Sequence, residues 1–129
     1  MKRLIYSSRA AAGIDSAEVF KIIEASARNN PRREITGFLL HDADRFLQYV
    51  EGPSLAIEAL MADLERDPRH SHIETIHEET ADKRWFADWG MKRLVSFKEA
   101  PAMIELEKTF GSQRGGGKFL SAINTFLAN

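Results

Sequence analysis

The sequence predicts an α+β fold: a sheet covered by helices on both faces. Three observations carry this. The hairpin region 35–52, ITGFLLHDADRFLQYVEG, contains two almost continuously apolar runs, as strands buried on both sides require. Stretches with helical apolar spacing follow the first strand and the hairpin. The chain then closes with two more apolar-striped segments around Gly115-Gly116-Gly117.

Taken in order, residues 3–8 (RLIYSS) alternate as a first strand, with Leu4, Tyr6 and Ser8 on one face. Asp15 with Glu18 three residues on fits a helix N-cap and capping box. The helix carries Val19, Ile22, Ile23 and Ser26 and should end near Arg28-Asn29-Asn30-Pro31, where an Asn can take a left-handed cap. The hairpin strands flank a polar tip, His41 to Arg45. Ser54 can cap a second helix, striped by Ile57, Leu60, Met61 and Leu64 and stopped by Asp67-Pro68. Residues 72–79 alternate as a fourth strand, 81–86 form a charged connection, and 89–95 read as a last strand with Trp89, Met91 and Arg93 sharing a face. The order is that of a ferredoxin-like βαββαβ core with an added fifth strand. Right-handed crossovers put both helices on one face of the sheet. The C-terminal segments, Pro101 to Phe110 and Lys118 to Leu127, are predicted to pack as helices on the other.

Composition sets the outer limits. A chain of 129 residues suits one domain with a real core. Its 18 basic and 19 acidic residues nearly cancel, with no basic block, which gives no electrostatic footprint for nucleic acid. No cysteine is present, so disulfides, thiolate metal sites and cysteine catalysis are excluded. No apolar run reaches 18 residues, and the N-terminus lacks a signal-peptide core; a cytoplasmic protein without membrane insertion is expected. His70, His72 and His77 make a poor metal cluster. Neither a nucleophile elbow nor a phosphate loop occurs.

Gln48 stands out, because it points the same way as Phe46 and Val50. A primary amide on an apolar face must find partners or cost about 1–3 kcal/mol. It is either a satisfied core residue or a polar hand in a ligand pocket. The predicted topology makes the first and third strands central neighbours, so Tyr6 and Gln48 meet on the face under the two crossover helices. The slot there has apolar walls of Ile22, Ile23, Leu39, Phe46 and Leu64. Asn29 and Asn30 end one helix beside it, and Asp67, Arg69 and His70 end the other. Apolar walls with a few convergent polar groups suit a flat heteroaromatic ligand.

Seven short pieces then fall in a known order: Leu4-Ile5-Tyr6-Ser7-Ser8, Asn29-Asn30, Ile35-Thr36-Gly37, Phe46-Leu47-Gln48, Glu51-Gly52, Asp67-Pro68-Arg69-His70 and Trp89-Gly90-Met91. On these the chain resembles the BLUF family of flavin-binding blue-light sensors over about residues 2–97. The resemblance implies a flavin-binding domain over 1–97 and a C-terminal helical cap or output element over 98–129. It implies non-covalent FAD, with Tyr6 as electron and proton donor and Gln48 as the rearranging amide. Ile22, Asn29, Asn30, Leu39, Phe46, Leu64, Asp67, Arg69 and His70 would surround the cofactor, and Trp89 and Met91 would relay the change. It also implies a photoreceptor rather than an enzyme, signalling in trans to a partner protein; the apolar C-terminal helix makes a homo-oligomer plausible. The hairpin tip departs from the family in lacking a glycine, and position 63, at the phosphate-side mouth, is aspartate rather than a basic residue. Two other readings compete: an acylphosphatase-like enzyme, with Ser7-Ser8-Arg9 as a poor anion loop, and a flavin-free interaction module.

Overall fold

A computed structural model describes residues 1–94 and 100–128, apart from the side chains of 16, 19, 20, 23, 26, 27, 93 and 100–102. The side chains of Val19, Ile23, Ser26 and Arg93, the expected end of the last strand at Val95, and the 97/98 boundary therefore lie outside the described residues. The elements are β1 (Lys2–Ala10), α1 (Ser16–Arg32), β2 (Thr36–Asp42), β3 (Arg45–Gly52), α2 (Ser54–Arg66), β4 (His70–Thr80), β5 (Gly90–Leu94), α3 (Ala100–Ser112) and α4 (Gly116–Ala128). The strands form one sheet in the order β4-β1-β3-β2-β5. Among the described residues only the β2–β5 pairing is parallel. This is the ferredoxin-like arrangement with a fifth strand added beside β2.

Alternation along the central strands divides the core in two. Leu4, Tyr6, Leu39, Phe46 and Val50 face α1 and α2 and pack with Ile22, Ile57 and Leu60. Ile5, Phe38, Leu40, Leu47 and Tyr49 face α3 and α4 and pack with Leu106, Phe110, Phe119, Ile123 and Phe126. Burial on both sides explains why the hairpin strands are apolar almost without a break. The triple glycine has a steric role as well: a Cβ on Gly116 would lie 2.0 Å from the Phe110 carbonyl oxygen, so glycine lets α4 fold back tightly on α3.

Several local expectations are revised. Asp15 caps α1 by accepting from the Glu18 amide at 2.9 Å, but the helix runs on to Arg32 with Pro31 in its last turn. The left-handed residue after it is Glu34 (φ 61°), not either asparagine. Asn30 stays helical, and its carbonyl accepts from the Arg33 and Ile35 amides, both at 3.0 Å. Ser54 is the first helical residue of α2 rather than its cap. Pro53 holds the cap position without a side-chain bond, because its fixed φ already suits a helix start.

The largest revision concerns the last strand. Trp89 and Met91 do not share a face. Met91 has φ 71° and its amide bonds to the Trp89 carbonyl at 2.8 Å, so the chain bulges between the Gly37–Gly90 and Phe38–Lys92 pairs. The extra residue reverses the alternation. Met91 packs in the α1/α2 core, while Trp89 packs against Phe86 and Phe38 on the α3/α4 side. The connection before it is anchored by Glu51, a fully buried carboxylate. It accepts from the Tyr49 hydroxyl (2.7 Å), the Thr36 hydroxyl (3.0 Å) and the Trp85 and Phe86 amides (both 2.9 Å). Four donors offset the cost of burying it.

At the hairpin tip, Ala43 adopts φ 54°, a left-handed conformation that costs a residue with a Cβ about 1–2 kcal/mol. The Asp42–Arg45 ion pair (2.8 Å) and a His41 ring nitrogen against the Ala43 carbonyl (2.7 Å) brace the turn. Ala43→Gly should therefore raise stability, by roughly 0.5–1 kcal/mol after the added freedom of the unfolded chain is counted. A urea titration checks this; a lowered midpoint would show that the tip is not strained.

Candidate functional site

α1 and α2 lie on one face of the sheet and leave a cleft between them. The space between them, counted with the open solvent at its mouth, is about 660 Å³. Ile22, Leu39, Phe46, Leu60 and Leu64 supply its apolar surface. The floor is set by strand register. Tyr6 on β1 stands directly across from Gln48 on β3, and Gln48 across from Leu39 on β2.

Tyr6 donates its hydroxyl proton to Gln48 Oε1. On the other side Gln48 Nε2 points to the Met91 sulfur at 3.0 Å. The amide thus has a strong donor at its oxygen and a weak acceptor at its nitrogen. All three side chains are buried. Burial pushes the Tyr6 phenol well above its ordinary range, so it is a neutral hydrogen-bond donor.

The walls add polar groups at two heights. Asn30, 2% exposed, holds its amide at the end of α1, with Asn29 beside it on the cleft lining. Across the cleft, Arg69 folds onto Asp67, Nη2 to Oδ2 at 2.7 Å and Nε to Oδ1 at 3.0 Å; this bonding holds the Asp67 carboxyl below the usual carboxylate range. The His70 ring stands near Phe46 with Nδ1 3.2 Å from the Ser8 hydroxyl. Burial lowers its pKa from the ordinary value. Every polar residue anticipated for the slot lines this cleft, as do Ile22, Leu39, Phe46 and Leu64, whereas Met91 sits behind Gln48 off the lining and Trp89 packs on the other face.

With this geometry in place, comparison with known proteins decides the family. The family model described as "BLUF: Sensors of blue-light using FAD" matches residues 1–92. The chain belongs to the BLUF family. Among its relatives, photoactivated adenylate cyclase subunit beta of Euglena gracilis is 32% identical over 84% of this chain and 14% of that protein. The blue light- and temperature-regulated antirepressor BluF of Escherichia coli is 28% identical over 69% of the chain and 22% of that protein. The chain thus spans a small part of these relatives' length. Among solved structures, the dark state of the BLUF protein BlrB superposes with a TM-score of 0.70 and 32% identity, over 98% of this chain and 95% of that one. Klebsiella pneumoniae BlrP1 with FMN and cyclic diGMP gives a TM-score of 0.68 and 26% identity, over 80% of this chain and 29% of that one.

The BLUF cleft suits a flavin on its own chemistry. Its apolar walls match a flat ring system, and its buried amides offer both donors and acceptors to a ring edge that carries both. Sequence reasoning missed Ala25, Arg33 and Leu60, which also line the cleft. Arg33 gave no signal, standing as it does among Arg28, Arg32 and other surface charges. Leu60 was assigned to the helix stripe without its position facing the slot being evident. Among the described residues, no group of three or more His, Asp or Glu side chains is placed to hold a metal, and no helix is long and apolar enough to cross a membrane.

His70 carries a pH consequence. Its folded pKa lies below the unfolded value of about 6.5. As pH falls through about 6.5 the unfolded chain takes up this proton first, so stability drops on the acid side and is retained above it. In urea titrations from pH 7.5 to 5, His70→Gln should flatten that part of the profile relative to wild type; parallel profiles would rule out the contribution.

Proposed function

We propose that this chain is a blue-light photoreceptor module that holds FAD non-covalently between α1 and α2 and uses Tyr6 and Gln48 as its photoactive pair. The observation that carries the reading is the buried Tyr6–Gln48 pair on the cleft floor, with Met91 behind it against the Gln48 amide nitrogen. A bound flavin would supply the blue-light absorption and, when excited, a strong oxidant. Tyr6 is the electron donor in reach of the floor, and a phenol that loses an electron becomes a strong acid. Its proton already rests on a hydrogen bond to Gln48 Oε1, so electron and proton have defined exits.

Gln48 then carries the state. Rotating or tautomerising its amide exchanges donor and acceptor at the cleft floor without gaining or losing atoms, so the change reverses in the dark. Met91 biases the choice, because its sulfur can accept from the amide nitrogen but offers nothing to the oxygen. Asn29, Asn30, Asp67, Arg69 and His70 would hold the ring and its polar edges, with Ile22, Leu39, Phe46 and Leu64 as walls. The bulge that turns Met91 into the α1/α2 core turns Trp89 to the other face, where Trp89 meets Phe38 (6.0 Å between centroids) and Phe38 meets Phe110 of α3 (6.1 Å). These contacts support relay roles for Met91 and Trp89. The flavin unit is taken to span 1–97 and the helical output element 98–129, acting in the cytoplasm on an effector protein in trans and within a homo-oligomer.

The acylphosphatase-like alternative loses its anion loop, since Ser7 and Arg9 are paired in the β-ladder between β3 and β4. The decisive experiment is absorption spectroscopy on protein reconstituted with FAD. Blue light should shift the flavin bands reversibly to the red in wild type. Tyr6→Phe and Gln48→Leu should each keep the flavin and lose the shift. A normal photocycle in either variant removes that residue from the mechanism, and a preparation that takes up no flavin removes the function.

A further inference from the structure

The mouth of the cleft is crossed by a charged bridge that the Tyr6–Gln48 chemistry does not use. Arg33, the residue that follows α1, reaches Asp63 on α2, Nη2 to Oδ2 at 2.5 Å, and so ties one wall to the other. Both residues line the cleft, and their side chains are 37% and 45% exposed, as befits a rim. Asp63 also accepts from Arg66 at 2.8 Å, and the two guanidinium groups hold its carboxyl below the ordinary range. Arg33 has a further feature. Its second terminal nitrogen, Nη1, is buried without a hydrogen-bond partner. With Nη1 enclosed, the Nη2 that Asp63 holds is the donor Arg33 presents at the rim, and an anion that reaches Arg33 must contend with Asp63 for it.

Flavin chemistry indicates which anion would arrive. The floor of the cleft is closed by the buried Tyr6 and Gln48 side chains and its rim at Arg33 and Asp63 is open, so a ring held in it would leave its hydrated ribityl chain, and any phosphate on it, towards the mouth. We propose that Arg33 is the phosphate-recognising residue of this cleft and that Asp63 is its built-in competitor, so that the protein gains little from a flavin phosphate while Asp63 is charged. The inference rests on the flavin reading above. It follows from local charge: a phosphate that engages Arg33 must displace Asp63 or lie beside it, and the repulsion offsets what the guanidinium contributes. Asp63 displaced from Arg33 keeps Arg66, so the exchange is open to it.

The test is a dark titration of flavin-stripped protein with riboflavin, FMN and FAD, followed by flavin fluorescence, in wild type, Asp63→Asn, Arg33→Gln and Glu58→Gln. Glu58 is an exposed carboxylate on the same helix, paired with Lys2, and controls for net charge. The ratio of riboflavin to FMN dissociation constants should rise at least about threefold in Asp63→Asn, the scale of an exposed ion pair. It should fall in Arg33→Gln and stay at the wild-type value in Glu58→Gln, and FAD should follow FMN. Riboflavin affinity itself should hardly move. The proposal is overturned if the ratio is unchanged in Asp63→Asn or in Arg33→Gln, or if Glu58→Gln raises it equally. Binding of none of the three flavins to wild-type protein would instead bring down the flavin reading and this inference together.

Discussion

The antiparallel register of β1 and β3 is the constraint on which the site depends. It pairs Tyr6 with Gln48 and brings the phenol proton onto the amide oxygen. A slip of one residue would send Gln48 to the opposite face, into an aromatic cluster where a primary amide has no place. Alternating burial on two faces prevents the slip, because Phe46 and Val50 must go with Gln48 to one core while Leu47 and Tyr49 go to the other. Hydrophobic packing, which is not directional, thereby fixes a directional hydrogen bond.

The same two-sidedness is what the proposed relay would use as its route outward. In a sheet covered on only one face, a change under α1 and α2 would end at solvent. Here the strands that carry the site also floor the α3/α4 core, and the bulge at Gly90–Met91 puts Met91 of β5 into one core and Trp89, just before β5, against the other. Glu51, itself fixed by the Tyr49 and Thr36 hydroxyls, holds the preceding connection by the Trp85 and Phe86 amides, so the bulge starts from a fixed point. A strained residue held between two packed cores is a suitable two-state element, since packed cores switch between arrangements more readily than they deform.

Much of this was legible in the sequence. The order of elements, the two-faced hairpin and the meeting of Tyr6 with Gln48 all follow from period-two and helical apolar patterns, which report burial directly. What the patterns did not show depends on single backbone torsions. Strict alternation placed Trp89 with Met91, and only the left-handed φ of Met91 parts them; methionine there gives no glycine-like warning. Glu34, rather than Asn29 or Asn30, takes the left-handed turn after α1 for a related reason: the helix runs through Pro31, and the turn falls wherever the helix stops. Arg33 was hidden because partner choice on a charged surface is a matter of three-dimensional distance, and neither Arg33 nor Asp63 differs in sequence context from its charged neighbours.

The central claim is that the Gln48 side-chain amide holds the signalling state. Only Gln48 and Gln113 are glutamines in this chain, which makes the claim open to a direct measurement. Light-minus-dark infrared spectra would be compared for flavin-loaded Gln113→Ala protein with and without ¹³C in the glutamine side-chain carbonyl. The account predicts a pair of isotope-sensitive bands that appear on illumination and vanish on dark recovery. A difference spectrum identical with and without the label would contradict it.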